Sequence, residues 1–386
     1  MSTRSGRTSV VFASGLGNAL LHGIGVHHGG VPRALQQYFI RQFNDRKVPY
    51  LVCTSTIIEG VNTVAKNVVV YDRRKSKSVL EHFTYKNIEG RAGRMNHYFV
   101  GKVYVLEAPP TDKSFSVEFP VGVQRETTPL SLLLSLPDDD LRPISKERVA
   151  DLFSKSFLSP LTLRANRHVS RDAQEAVANE VLSNIARWRV LLSWTGIPSG
   201  AELGAVCDLI FRHLNTAAFR ENDVFSGDQL AWHINELRVG NSISKYIRSC
   251  VNGRRLPATP SDAVESALRV VRNIVCQRFP RDLMVIDAIQ RDILGARGFP
   301  VGNYALFAEQ AENLFMPATL FALDEYGIPI QTAEALRNVL MPADALDDVL
   351  KRLGSLNIQQ LQLSGFEREI MRDVIGNLFP RIGLPS

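Results

Sequence analysis

Tyr50-Leu51-Val52-Cys53-Thr54-Ser55-Thr56-Ile57-Ile58-Glu59-Gly60-Val61-Asn62 begins apolar and turns at once to small hydroxyl residues. A short apolar run without polar alternation reads as a strand of a parallel sheet covered on both faces. Hydroxyls directly after it suit the carboxyl end of a strand in an open α/β sheet, where binding crevices form. They and the backbone N–H groups beside them let a sugar–phosphate chain approach closely. An ordinary Ser/Thr-rich turn has the same composition, so at this point both readings stand.

The surroundings extend the pattern. Val10-Val11-Phe12-Ala13, Val68-Val69-Val70-Tyr71 and Lys102-Val103-Tyr104-Val105-Leu106 have the same strand character. Pro32 is placed as the first residue of a helix, with Leu35, Phe39 and Phe43 recurring every four residues as its apolar stripe. From about Thr8 to Glu107 the chain therefore alternates strand and helix, as an α/β unit does. Ala108-Pro109-Pro110-Thr111 breaks the alternation. Past Thr128 one helix follows another, the clearer ones being Leu130 to Leu136, Ala173 to Trp194, Ala201 to Phe219, Gln229 to Val251, Asp262 to Phe279 and Thr332 to Leu340. The expected organisation is an α/β lobe over 1–110, a linker over 111–127, and an all-α region over 128–386 in one or two subdomains.

Bulk properties agree with this and exclude several classes. The 386 residues have room for two or three domains, and 45% hydrophobic residues exclude a wholly disordered chain. A net charge of +6 permits a polyanionic partner without establishing one. Cys53, Cys207, Cys250 and Cys276 lie far apart with no C-x-x-C spacing, which points away from disulfides and zinc and towards a cytoplasmic home. No apolar run approaches the ~20 residues that cross a bilayer, so no membrane partner is expected. The apolar stretch after the basic start is broken by Gly15 and Gly17 and does not read as a signal peptide.

Asn87-Ile88-Glu89-Gly90-Arg91-Ala92-Gly93-Arg94 is the segment richest in chemistry. On a helix, Asn87, Arg91 and Arg94 share one face within about 60°. An amide and two guanidiniums in line form a donor array suited to phosphate oxygens. A solvated basic helix face has the same spacing. A second pair of neighbours, His27 and His28, sits on a strand and therefore points to opposite faces, so a shared metal ion is not expected.

G-R-A-G-R, with an amide three positions ahead, resembles motif VI of superfamily-two (DEAD/DEAH-like) helicases. T-S-T-x-x-E-G-V-N over Thr54–Asn62 resembles motif V of the Ski type, and His27-His28-Gly29-Gly30-Val31-Pro32 its H-H-G-x-x-P element. Where the family continues motif V with Leu-Pro-Ala and carries glutamine in motif VI, this chain has Thr63-Val64-Ala65 and Asn87. The resemblance implies a second RecA-like lobe, shortened at its start, followed by a helical C-terminal region. It assigns Arg94 as a finger on the ATP γ-phosphate and Arg91 and Asn87 as further phosphate contacts. Thr54, Ser55, Thr56 and His28 fall to the nucleic-acid backbone, and Glu59, Gly60 and Asn62 to the link between strand and nucleotide cleft. ATP and magnesium are the implied cofactors, and single-stranded DNA or RNA the implied partner.

A motor also needs a P-loop, and no G-x-x-x-x-G-K-[ST] occurs. Asp324-Glu325-Tyr326-Gly327 imitates D-E-x-x but lies in a helical neighbourhood and is expected to be a solvated helix end. The missing lobe is expected in cis or in trans, and the chain by itself is not expected to hydrolyse ATP. The alternative is a non-catalytic nucleic-acid- or protein-binding module derived from a helicase. In the helical region Arg164, Arg167, His168 and Arg171, then Arg248, Arg254 and Arg255, then Arg269 and Arg272 form basic clusters. Each suits phosphates or simply a solvated face. Trp188 and Trp194 read as core.

Overall fold

The computed structural model describes residues 15–54, 63, 65–72, 74–75, 78–93, 100–110, 120–253 and 259–379. The chain forms two compact units that do not follow chain order: one comprises 1–116, 247–265 and 317–386, the other 117–246 and 266–316. Among the described residues, parallel strands are confined to the first part of the chain and helices fill the rest, as the composition of the two regions dictates.

In the first unit, helix α1 (Gly15–Leu21) leads into β1 (Ile24–His27), α2 (Arg33–Asn44) and β2 (Tyr50–Cys53). β1 and β2 pair in parallel, with Gly25 opposite Leu51 and His27 opposite Cys53. β3 (Asn67–Val70) pairs in parallel with β6 (Lys102–Val105), Val69 standing opposite Tyr104. A small antiparallel pair, β4 (Arg74–Lys75) and β5 (Ser78–Val79), and helix α3 (His82–Glu89) lie between them. The expected strand at Val10–Ala13 lies outside the described residues.

Helix α2 holds this unit together. Pro32 precedes it with φ −53°, as a proline ahead of a first turn should. Its buried side is Ala34, Tyr38, Phe39 and Gln42, while Leu35 and Phe43 are only half-buried, so the expected stripe is rotated. Phe39 packs against Gly25 of β1, where a methyl group would already be in contact. Partners for the other side of α2 come from the end of the chain. Tyr38 donates to Glu369 Oε1 at 3.0 Å and meets Phe366 edge-on, and Arg41 Nε bonds Asp373 Oδ2. Glu369 and Asp373 sit one turn apart on the helix Gly365–Leu378, which opens with a Ser364/Glu367 capping box. The sheets are not covered on both faces as expected: Tyr50, Val52, Val69 and Tyr104 are all at least half exposed or close to it.

The second unit is helical. Its central element is the helix Phe279–Gly295, whose Phe279, Leu283, Ile286 and Ile289 are fully buried. It packs against the helices Pro160–Ala165, Arg171–Ser183, Gly200–His213 and Ala305–Glu312. Each such side chain contributes roughly 1.5–3 kcal/mol. Trp194 stacks on Tyr304 with centroids 4.0 Å apart, and Trp188 is buried too, so both are core. A polar seam runs through this core: Gln290 exchanges two 3.1 Å bonds with Gly302, and Tyr304 donates its hydroxyl to Leu192 O.

Three helices expected as continuous are each interrupted at an asparagine. Asn184 separates Arg171–Ser183 from Ile185–Leu191, and Asn215 (φ 60°) separates Gly200–His213 from Thr216–Arg220. Asn241 (φ 44°) ends Gly227–Gly240. Asparagine tolerates the left-handed region, and at the first two breaks its side chain also caps the next helix. The stretch expected to run from Asp262 to Phe279 instead turns π-helical over Val270–Arg278 and passes straight into Phe279–Gly295. No helix among the described residues is long and apolar enough to cross a membrane.

Asp282, on the central helix, is 2% exposed, and its Oδ2 has no hydrogen-bond partner. Burial pushes its carboxyl up to about 6, although Arg278 and Arg281 stand 3.9 and 3.8 Å away and pull it down. A folded-state pKa above the unfolded value means that the folded state holds the proton more tightly. The stabilising contribution is then complete below pH about 4 and is lost as pH rises through about 6. Asp282→Asn should accordingly raise stability at pH 7–8 by roughly 1–3 kcal/mol and by much less at pH 4. Denaturant melts across that range check the prediction.

Candidate functional site

His28 and Thr54 follow directly on β1 and β2, and the parallel register places them side by side at the carboxyl edge of that pair. Thr54 N–H donates to His27 O at 3.1 Å, continuing the ladder by one residue and leaving the threonine exposed. The turn after His28 is closed by Val31 N–H bonding His28 O. Gln36, one turn into α2, then reaches back and donates twice, to His28 O at 3.1 Å and to Val31 O at 2.7 Å. The sequence reading missed this clamp, although an amide one turn inside a helix that follows a glycine turn is its visible sign.

The His28 ring lies over the turn it belongs to. Its Nδ1 accepts the Gly30 N–H at 2.9 Å, so in the neutral ring the proton sits on Nε2, which is then a donor. A Cβ on Gly30 would lie 2.5 Å from the ring, which explains glycine at this position. His27 points the other way: it is buried, its Nδ1 has no partner, and desolvation lowers its pKa. The two imidazoles therefore do not converge on one ion. Among the described residues no group of three or more His, Cys, Asp or Glu could hold a metal.

The arginine segment differs from the expected single helix. α3 ends at Glu89, with Gly90 as its last αR residue. Arg91 and Ala92 continue only as a tightening turn, their N–H groups bonding Ile88 O and Glu89 O at 3.0 Å. Gly93 then takes φ +70°, which stops any helical continuation. Asn87 is exposed on the last turn of α3, while Arg91 is half-buried in the turn beyond it. Arg94 lies outside the described residues, as do Ser55, Thr56, Glu59, Gly60 and Asn62. The shared helical face of Asn87, Arg91 and Arg94 is thus replaced by a helix-to-turn transition. Glu89, the nearest carboxylate on α3, is taken up by Lys86 Nζ, which holds its pKa below the usual range.

What fixes this turn is backbone. Gly93 N–H donates to Ala65 O at 3.0 Å, immediately ahead of β3. Gly101, immediately ahead of β6, approaches so closely that a Cβ on Gly93 would lie 2.5 Å from its nitrogen. A Cβ on Gly101 would meet Gly93 N at 2.4 Å in return. Arg91 therefore stands at the amino edge of the β3–β6 pair, whereas His28 and Thr54 stand at the carboxyl edge of β1–β2. Residues 55–62 connect the two edges in sequence.

The basic clusters of the helical region are partly consumed internally. Arg164 bonds Asp138 Oδ1 and the carbonyls of Leu134 and Leu136, and Arg171 pairs with Asp172 and Glu175. Arg269 stands 3.7 Å from Asp223. Arg254 and Arg255 lie outside the described residues.

Residues 7–96 match the helicase conserved C-terminal domain family. Over 345 residues the chain is 33% identical to anti-bacteriophage protein B of Escherichia coli (strain K12), covering 85% of this chain and 46% of that protein. It is 31% identical over 99 residues to the ATP-dependent DNA helicase Hel308 of Thermoplasma volcanium, covering 24% of this chain and 15% of that one. It is also 32% identical over 89 residues to DNA polymerase theta of Caenorhabditis elegans, covering 23% and 6%. The chain spans less than half the length of these relatives.

Gly93→Ala must strain a left-handed residue and push two backbones apart. It should lower the stability of its unit by at least about 1 kcal/mol. Gly30→Ala should instead displace only the His28 ring at little cost in stability. Chemical denaturation of the two variants separates these effects.

Proposed function

We propose that this chain, whose residues 7–96 match the helicase conserved C-terminal domain family, is the C-terminal part of a superfamily-two helicase and supplies the arginine and strand-contact half of an ATP-driven nucleic-acid motor. The observation that carries the proposal is the fixed turn after α3, in which glycine contacts hold Arg91 at the amino edge of the β3–β6 pair. An arginine needs a rigid base to present its planar donors to phosphate oxygens.

In this reading Arg91 and Arg94 complete an ATP site whose P-loop lies on another lobe, in cis or in trans. Arg94 stabilises charge developing on the transferred phosphoryl group and Arg91 orients the phosphates. Asn87, as a donor exposed beside Arg91, fits the same phosphates, and this set of donors suits an anion and not a cation. Magnesium would be held by the P-loop part and would supply neutralisation of the phosphate charge. At the other edge the Nε2–H of His28 and the exposed Thr54, with Ser55 and Thr56, hold backbone oxygens of single-stranded DNA or RNA. Glu59, Gly60 and Asn62 lie in the segment that connects the two edges, so closure on ATP moves the strand contacts. The similarity to a Hel308 helicase favours DNA.

The 386-residue chain alone should show no nucleic-acid-stimulated ATP hydrolysis. Adding a separately expressed P-loop lobe should restore it, and Arg94→Ala should then reduce kcat by about 10³-fold or more. Turnover by the chain alone, or indifference to Arg94→Ala after complementation, sinks the reading. If strand binding survives Arg91→Ala/Arg94→Ala and ignores ATP, the chain acts as a binding module instead.

A further inference from the structure

The turn that carries His28 lies between the end of β1 and the start of α2 and contains Gly29 and Gly30. Two adjacent glycines give the backbone its widest choice of conformation, so the shape of this turn has to be set by bonds. Two of them are local: Val31 N–H donates to His28 O at 2.9 Å, and Gly30 N–H donates to His28 Nδ1 at 2.9 Å. The other two come from one half-buried side chain. Gln36 Nε2 donates to His28 O at 3.1 Å and to Val31 O at 2.7 Å, and so bridges the two ends of the turn. Both targets are carbonyl oxygens, so the bridge needs two donors on one atom, which an amide nitrogen has. Methionine matches glutamine in length and helix propensity and brings no donor.

Such a bridge holds the turn only as firmly as its own base is held, and α2 is tied down just beyond it. Gln37 Nε2 donates to Glu325 O at 3.1 Å, and the Tyr38 hydroxyl donates to Glu369 Oε1 at 3.0 Å. One turn further on, Arg41 Nε bonds Asp373 Oδ2. Residues 36, 37 and 38 thus bond three separate segments, the last two across 288 and 331 positions. The 3₁₀ turn Ala322–Tyr326 accordingly lies against α2, with Asp324 half-buried, and is not the solvated helix end expected at Asp324-Glu325-Tyr326-Gly327.

We propose that Gln36 is a positioning residue for the strand-contact edge: by bridging His28 O and Val31 O it fixes the glycine turn, and with it the direction in which the His28 ring offers its Nε2–H. That this ring meets nucleic acid rests on the function proposed above; the hold of Gln36 on the turn does not.

The test uses the full chain. In Gln36→Met the amides of Gly29–Val31 should exchange with deuterium about tenfold faster than in the wild type. Gln36→Lys, whose ammonium again offers several donors, should recover most of the protection. Thermal melts confirm that both variants fold. Binding of a single-stranded oligodeoxynucleotide should weaken about fivefold in Gln36→Met, and no further where His28 is already alanine, because a positioning residue loses its effect with the group it positions. Unchanged exchange in Gln36→Met, no recovery in Gln36→Lys, or equal weakening of binding with and without His28 overturns the proposal. If exchange responds as expected while the wild-type chain binds no oligonucleotide, or while His28→Ala leaves binding intact, the bridge stands and the strand-contact reading fails.

Discussion

Two glycine backbones in contact, at Gly93 and Gly101, decide where the arginine turn of this protein stands. No side chain fits between them, one of them must be left-handed, and the Gly93 N–H reaches a carbonyl ahead of β3. The turn is therefore tied at once to the starts of both paired strands. A guanidinium on a long, flexible stem gains directional value only when its Cα is held, and here backbone contacts hold it.

The same economy appears at the other edge. Gly30 makes room for the His28 ring, and a backbone N–H sets its tautomer. Gln36 closes the turn from below. Both edges rely on main-chain geometry specified by glycine.

Much of this was visible in the residues. Tyr50–Cys53, Val68–Val70 and Lys102–Val105 are strands because β-branched and aromatic runs favour nothing else at that length. Tryptophans inside apolar helical patterns went to the core. Helix ends were less legible, because asparagine in a helical pattern costs little until tertiary packing selects the left-handed conformer, as at Asn215 and Asn241. The arginine segment was misread as one helix because a wheel weighs positions equally, whereas Gly90 and Gly93 weaken the helix just where it had to continue.

The order in which the chain leaves the ribosome acquires a meaning from the Tyr38–Glu369 and Arg41–Asp373 contacts, which span 331 and 332 residues. Helix α2 leaves the ribosome more than 300 residues ahead of the helix that covers it. Contacts of such separation close slowly and late. The helical unit, whose segments are complete by residue 316, has its full set of internal partners before the lobe does. During that interval the apolar side chains that α2 later buries against the helix Gly365–Leu378, Tyr38 among them, make the unfinished lobe a natural client for chaperones.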